Sequence, residues 1–347
     1  MSTTIDDIAK ACGLSRTTVS RVLQNSPNVG AKTRQKVEKA IKEFGYRPNQ
    51  TAQSLARGYS NTVALIVGNI SSSAQIEIAK VIQKGLYPQN LMVWLCNSDY
   101  DTTLCNSYLD TALASKLAGT FLITCDASAD HLIKATESGM PIVFINRQNL
   151  AVSCDSIYGD DQKAAFQATE HLIALGHRNI ILLSVSQSLI SGRNAYWGFR
   201  TAMEMNGLPF SDEHVYEIDI SSYSDALKTR RPFNAEDLFQ NHPETTAIVC
   251  LSNEVAVEFY SQCKALGKEI PKDLSMISLD PVQANTIPGV VFTSFGADQN
   301  GLGLAAVTQM LERIQGRKGT LQNNQSLPGK NIVLNPVYNE GNTVSLI

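Results

Sequence analysis

Residues 4–23 read Thr-Ile-Asp-Asp-Ile-Ala-Lys-Ala-Cys-Gly-Leu-Ser-Arg-Thr-Thr-Val-Ser-Arg-Val-Leu, the punctuation of two short helices joined by a tight turn. Thr4 with Asp7 three residues on resembles a capping box, and Ile5, Ile8, Ala9 and Cys12 then recur at i, i+3, i+4 and i+7. One helix therefore runs from about Ile5 to Cys12. Gly13 takes the left-handed conformation that ends it, and Ser15 with Thr18 opens a second helix whose Val19, Val22 and Leu23 face inward. Arg16, Thr17, Ser20 and Arg21 are left outward.

Working outward, Val37, Ala40, Ile41 and Phe44 signal a third helix, closed by Gly45 and by Pro48, which disfavours helix at Arg47. Three short helices make one small core. The outward face of the second is basic and hydroxylic without large apolar anchors, so it suits DNA better than the alternative, a three-helix module that binds protein. In a major groove the Arg16 guanidinium matches guanine O6 and N7, Thr17 an acceptor or a thymine methyl, and Arg21 a second guanine or a phosphate. Lys32, Arg34, Lys36 and Lys39 read as phosphate contacts or a solvated face, setting affinity and salt dependence and not sequence choice.

The chain has 347 residues, 43% of them hydrophobic and 18% charged, which sets an expectation of two or three domains. Its net charge of -3 hides an asymmetry. Residues 1–60 hold ten Lys and Arg against four Asp and Glu, leaving nineteen against twenty-eight for the rest. A basic head on an acidic body implies that only the head meets a polyanion. The seven cysteines are odd in number and lack a C-x-x-C pair, which points to buried free thiols in a reducing cytoplasm and not to disulfides or a zinc site. Asp6 and Asp7 stand where a signal peptide is basic and then apolar, and no apolar run approaches the roughly 18 residues of a membrane span. A cytoplasmic location with no membrane partner is expected.

The pattern T-I-x-D-I-A-x-x-x-G-x-S-x-x-T-V-S-R-V-L at 4–23, V-x-x-x-T-R-x-x-V at 29–37 and F-G-Y-R-P-N at 44–49 resembles the head of the LacI/GalR family of bacterial transcription regulators. The resemblance implies base-reading roles for Arg16, Thr17 and Arg21. The wider set of candidate DNA contacts adds Thr4, Ser15, Thr18, Ser20, Asn25, Thr33, Tyr46 and Asn49.

Asn49 to Gly58 has a plausible cap, a stop, and Ala52, Leu55 and Ala56 on one face of about two helical turns. Isolated helices shorter than ~12–15 residues are marginal in water, so this segment should order only when something packs on it. A linker with Leu55 packed on the body is the alternative. The resemblance implies hinge helices paired across a dimer, with Leu55 wedged into the minor groove beside Ala56 to kink the duplex.

From Thr62 apolar runs alternate with amphipathic stretches: Val63–Val67, Leu91–Leu95, Gly119–Ile123, Ile142–Ile145, Ile180–Leu183, Val215–Ile218, Ala247–Leu251 and Ser275–Leu279. Buried strands separated by helices argue for parallel sheets in an α/β architecture, either one large sheet or two smaller ones. Asn-Arg at 146–147, Glu-His-Leu-Ile-Ala-Leu-Gly-His at 170–177, Gly-Arg to Gly-Phe-Arg at 192–200, Ser-Asn-Glu at 252–254 and Pro-Lys-Asp-Leu-Ser at 271–275 extend the resemblance over nearly the whole chain. It implies a small all-α helix-turn-helix head (1–48), a hinge helix and linker (49–60), and an effector-binding and dimerisation domain (61–347). This last part would be two Rossmann-like subdomains, periplasmic-binding-protein-like, with crossovers near 160, 290 and 325.

Clefts at the carboxyl ends of parallel strands hold small ligands in such folds. Ser72, Asn146, Arg147, Asn253 and Asp280 stand at those ends, joined by Arg193 and Tyr223 from loops. The mixture suits a sugar: Asp, Asn and Arg pair with vicinal hydroxyls and an aromatic ring stacks on the pyranose face. The resemblance supports Arg193, Asn253 and Asp280 most directly. The alternatives are a turn cap for Asp280, a salt bridge for Arg147 and ordinary packing for Tyr223. Two departures alter the pocket wall: Ser71-Ser72-Ser73-Ala74 replaces the family's Asn-Pro-Phe-Phe, and Asn253-Glu254 its Asn-Asp.

Enzyme motifs are missing: the five histidines are scattered, no Walker loop or G-x-S-x-G occurs, and Gly301-Leu302-Gly303 lacks a third glycine and a preceding strand. That stretch reads as the start of a helix with Leu304, Val307, Leu311 and Ile314 inward, and Lys228, Arg230 and Arg231 as a solvated loop. The expectation is a non-enzymatic regulator without metal or cofactor, most readily a repressor. Its partners would be an operator in double-stranded DNA, a carbohydrate-like effector, and a second copy of the chain, with a tetramer open. The rivals are a regulator with a non-sugar effector or none, and a carbohydrate-acting enzyme with an accessory DNA-binding head, for which Asp160 and Asp161 are the nearby carboxylate doublet.

Overall fold

The computed structural model describes residues 3–23, 29–46, 58–148, 152–218, 233–281, 287–320 and 328–347. They fall into two compact units, Met1–Asn61 and Thr62–Ile347. Among the described residues the first unit holds the helices α1 (Ile5–Cys12), α2 (Arg16–Leu23) and α3 (Ala31–Glu43). Thr4 caps α1 as its spacing predicts: Asp7 N donates to Thr4 Oγ1 at 3.3 Å, and Thr4 N donates back to Asp7 Oδ2 at 2.8 Å. Gly13, at φ 60°, ends the helix. The core is Ile8, Ala9, Cys12, Val19, Val22, Val37 and Ala40. Phe44 does not join it: α3 stops at Glu43, Phe44 is its C-cap, and the ring is 49% exposed.

The second unit holds two six-stranded sheets. In chain order its elements are β1 (Thr62–Val67), α4 (Ser73–Leu86), β2 (Met92–Asn97), α5 (Thr102–Ala114), β3 (Gly119–Ile123), α6 (Ala129–Glu137), β4 (Ile142–Ile145) and β5 (Asp155–Gly159). There follow α7 (Asp161–Ala174), β6 (Ile180–Val185), α8 (Ile190–Met205), β7 (Val215–Ile218), α9 (Ala235–Asn241), β8 (Ala247–Cys250), α10 (Asn253–Ala265), β9 (Ser275–Ser278), β10 (Thr293–Gly296), α11 (Gln299–Thr320), β11 (Asn331–Leu334) and β12 (Val337–Asn339). The first sheet is ordered β11-β5-β4-β3-β1-β2 and is parallel throughout. The second is β12-β10-β9-β8-β6-β7, parallel except where β12 pairs with β10. Of the open choice between one sheet and two, the chain takes two.

The chain passes between sheets after β5, after β10 and between β11 and β12. The last passage lies at 335–336 and not near 325, because β11 first adds to the edge of the first sheet. Central strands are buried on both faces, as parallel sheets covered by helices require. Helices press closely where glycine permits. Gly198 on α8 faces the Gln162 carbonyl on α7, and Gly303 on α11 faces Val81 on α4. That second contact corrects the inward face expected for α11. Leu304 is exposed, while Leu302, Ala306, Val307, Met310 and Ile314 are buried, because the helix starts at Gln299 and the glycines form part of its packed side.

One buried ion pair fixes α11 to the first sheet. Asp155, at the start of β5, accepts from Arg313 Nε at 2.7 Å and Nη2 at 2.5 Å, from Gln309 Nε2 at 3.0 Å and from Lys330 N at 2.9 Å. Its carboxylate is therefore met by charge and by hydrogen bonds on both oxygens, which burial demands.

Candidate DNA-reading face and effector cleft

On the first unit, Arg16, Thr17 and Arg21 are exposed on one side of α2, and Ser20 is half-buried between them. Their exposure follows from the helix phase that buries Val19 and Val22. Arg16 Nη1 stands 3.7 Å from Asp6 Oδ2, an exposed pair worth little that leaves the guanidinium free to exchange partners. Thr4, Ser15 and Thr18 have structural work as well: Thr4 caps α1, and Ser15 Oγ accepts from Thr18 N at 3.1 Å while the two hydroxyls lie 2.8 Å apart. Thr33 is half-buried on α3, and Tyr46 packs against the core with its phenol pushed up by burial. Asn25, Asn49, Leu55 and Ala56 lie outside the described residues, as do the proposed hinge helix, Tyr223 and the Lys228, Arg230, Arg231 cluster.

The second unit contains a cavity of about 600 Å³ at the carboxyl ends of strands from both sheets. The first sheet contributes the turn after β1, with Ser72 capping α4 by accepting from Gln75 N at 3.4 Å. Gln75 spans the same wall: its Oε1 accepts from Asn69 N at 3.1 Å and its Nε2 donates to Tyr100 OH at 3.1 Å. Thr124 and Asn146, directly after β3 and β4, carry positive φ of 52° and 53°. Such backbone is costly for residues other than glycine and is retained where a site over-determines it. Next to them Arg147 donates to both oxygens of Asp126, at 2.9 Å from Nε to Oδ1.

From the second sheet come Val185 and the start of α8, the turn into α10, and Asp280 after β9. Ser72 Oγ donates to Glu254 Oε1 at 2.6 Å, a bond between residues that follow different sheets. The two places where the chain leaves the family pattern therefore meet each other across the cleft. Asp280 accepts from Gln299 Nε2 and from the backbone N–H of Asn253. Burial, then the charges of Glu254 and Asp161, push the Asp280 carboxyl from 3.8 up to about 7. Burial and the adjacent Asp160 push Asp161 up to about 7. Burial and Glu254 push the Tyr100 phenol up to about 12.

Of the residues expected from the sequence, the structure brings Ser72, Asn146, Arg147 and Asp280 together in this wall. Arg193 is exposed and is not in the described wall, where its neighbour Asn194 stands instead. Asn253 is 4% exposed beneath Asp280, and Glu254 takes its place in the wall. In both cases the first turn of a helix turns consecutive residues by about 100°, so the facing residue depends on where the helix begins. Tyr100, Asp126, Glu254 and Gln299 were not among the expected ligand groups. Asp126 had a usable signal, being a charged residue three positions past the end of β3.

A helix-turn-helix reader joined in sequence to a body with a strand-end cleft defines the class of ligand-binding, DNA-binding regulators. Residues 4–49 match the family model for bacterial regulatory proteins of the lacI family, and residues 60–332 match that for periplasmic binding proteins and the sugar binding domain of the LacI family. The chain belongs to the LacI family of DNA-binding transcriptional regulators and is not an enzyme. It is 31% identical over 283 residues to the HTH-type transcriptional regulator DegA of Bacillus subtilis, covering 81% of this chain and 82% of that one. Among solved structures it resembles the lac repressor dimer bound to operator and the anti-inducer ONPF, with a TM-score of 0.73, 24% identity, and 99% and 100% of the two chains covered. It also resembles a transcriptional regulator CelR-cellobiose complex, with a TM-score of 0.67, 22% identity, and 98% and 99% covered. Among the described residues no helix is long and apolar enough to cross a membrane.

Proposed function

We propose that this chain is a repressor that binds a pseudo-palindromic operator as a homodimer, under the control of a small polar molecule held in the cleft. The observation that carries this reading is the cavity of about 600 Å³ at the strand ends of both sheets, whose wall carries Ser72, Asn146, Arg147 and Asp280, on a chain whose reader exposes Arg16, Thr17 and Arg21. A cavity of that size suits a mono- or disaccharide-sized ligand. The lac repressor dimer on operator and the cellobiose complex of CelR support the dimer, the operator and the carbohydrate-like effector by analogy of fold.

Arg16 reads a guanine, Arg21 a second guanine or a phosphate, Thr17 a neighbouring base, and Ser20 an adjacent base or phosphate, while Leu55 and Ala56 engage the operator centre. Ser72, Asn146, Arg147 and Asp280 form the effector-binding wall, with Arg193, Tyr223 and Asn253 as the remaining candidates. Two-fold protein symmetry then meets two-fold DNA symmetry, and the effector changes DNA affinity by the factor by which DNA changes effector affinity.

Selection of the full-length protein on a random double-stranded DNA library tests the reading. Two inverted half-sites with guanine preferences lost in Arg16→Ala are expected. Enrichment of no sequence, or of a single asymmetric half-site, would overturn it.

A further inference from the structure

The described wall of the cleft is unbalanced in charge. Asp126, Asp161, Glu254 and Asp280 reach it against one guanidinium, Arg147, and Arg147 is held by Asp126 within its own lobe. Glu254 is met by the neutral hydroxyl of Ser72, and Asp280 by the neutral amide of Gln299. Among the described residues Asp161, Glu254 and Asp280 thus have no cationic partner. All three are half-buried, and carboxylates drawn out of water are ordinarily paired.

Gln299 gives a second and independent sign. It lines the cavity and is 6% exposed, and with its Nε2 committed to Asp280 its Oε1 has no hydrogen-bond partner. Buried acceptors without a donor are few in folded proteins, and one placed in a cavity wall marks where a donor belongs. The wall thus holds three carboxyls and an unmet amide oxygen, a set that a donor-bearing cation complements.

We propose that the effector of this cleft is a polyhydroxylated small molecule bearing a protonated amine, of the amino-sugar class, with its ammonium among Glu254, Asp280 and Asp161 and a hydroxyl donating at Gln299. The proposal rests on the reading of the cleft as an effector site and narrows it. An ammonium has three donors and no acceptor, and its hydrogen bonds to carboxylates are charge-assisted. A phosphorylated or carboxylated sugar would add negative charge to a wall that already carries an excess, which is selection by repulsion. The wall behaves accordingly: burial and Asp160 push Asp161 up to about 7, and burial with Glu254 and Asp161 pushes Asp280 up to about 7, in the place a ligand cation would fill.

The test is calorimetric titration of the full-length protein near neutral pH with glucosamine, galactosamine and mannosamine. Glucose, galactose, mannose, the N-acetyl forms and glucose 6-phosphate are run beside them. At least one amine should bind about tenfold or more tightly than its neutral parent, with the phosphate not binding. Glu254→Gln and Asp280→Asn should each lower amine affinity about tenfold more than that of the parent sugar. A neutral, acetylated or phosphorylated sugar binding as tightly as the amine, no amine binding at millimolar concentration, or an amine preference unchanged in both variants would overturn the proposal. Operator selection on the same preparation separates the two readings. Operator binding with failure of the amines refutes this inference alone, and amine binding without an operator refutes the regulator.

Discussion

Replacing Asp280 by Asn should stabilise the protein by an amount that grows as pH rises from about 4 to about 7. The Asp280 carboxyl titrates near 7 in the folded chain against an ordinary 3.8, chiefly because it is buried and because Glu254 and Asp161 repel its charge. A carboxyl whose folded value is raised binds more protons folded than unfolded. Its presence therefore lowers stability as pH rises from about 4 to about 7, and the loss is complete above that window. At about 1.4 kcal/mol for each tenfold in proton affinity, Asp280 acting alone would withhold roughly 4 kcal/mol at pH 8. Asp161 and Glu254 share the same repulsion and the carboxyl borders an open cavity, so about half of that is expected, roughly 2 kcal/mol. Asn keeps an acceptor for Gln299 Nε2 and brings a donor to the wall where Gln299 Oε1 has none. Urea unfolding of wild type and Asp280→Asn, at fixed ionic strength from pH 5 to 8, reads the effect. The variant should gain on wild type between pH 5 and about pH 7 and hold a constant advantage from there to pH 8. A gap independent of pH, or a less stable variant at pH 8, would refute the account of the acidic wall.

Three further outcomes are expected. Arg16→Ala should cost roughly 1–3 kcal/mol at one base pair of the selected operator and relax preference there, measured by competition binding with single-base variants; equal loss on every sequence would make Arg16 a phosphate contact. Arg313→Leu leaves Asp155 buried without its cation and should destabilise the chain by about 3–5 kcal/mol in urea unfolding, whereas a loss below about 1 kcal/mol would show that Gln309 and Lys330 N suffice. Gly198→Ala sets a methyl against the Gln162 carbonyl, where α8 meets α7, and should destabilise by about 1–3 kcal/mol despite the better helix propensity of Ala.

Much of this fold is legible because its local signals are strong. Thr4, Asp7, Gly13, Ser15 and Thr18 define α1 and α2 by capping chemistry alone, and the structure places those caps where the spacing puts them. Eight apolar runs give eight strands. The four strands without such runs fail to show for an identifiable reason. Asp155-Ser-Ile-Tyr-Gly and Thr293-Ser-Phe-Gly bury polar side chains, and Asp155 is tolerated there only because Arg313, some 158 positions away, comes to meet it. The edge strands β11 and β12 are half-exposed and short. Nor does any local pattern say which strands share a sheet; the three crossings decide that. In the cleft, strand-end residues such as Asn146 and Asp280 can be found by counting along apolar runs. Glu254 and Asn194 cannot, since a one-residue difference in where a helix starts exchanges them with Asn253 and Arg193.

The bond between Ser72 and Glu254 bears on how such a cleft can be a switch. It joins the two lobes, as the bond from Gln299 to Asp280 also does, and a hydrogen bond to a carboxylate is of the kind worth about 1.5–3 kcal/mol net. A contact of that size biases the ligand-free lobes without locking them. Moving a two-state balance from 1:99 to 99:1 requires about 5.5 kcal/mol of difference in ligand affinity between the states. Hydroxyls exchanging water for the side chain of Asn146 supply a modest part, because a half-exposed amide is solvated when no ligand meets it. A cation that displaces the Ser72 hydroxyl from Glu254 and restores charge to Asp280 and Asp161 gains its interaction only when both lobes enclose it. Glu254, Asp161 and Asp280 follow the second sheet or lead out of the crossing, while Ser72 caps the first helix of the other lobe. Discrimination between ligands and discrimination between lobe positions would then reside in the same few carboxylates, so that Glu254→Gln should weaken the amine preference and the coupling to operator together.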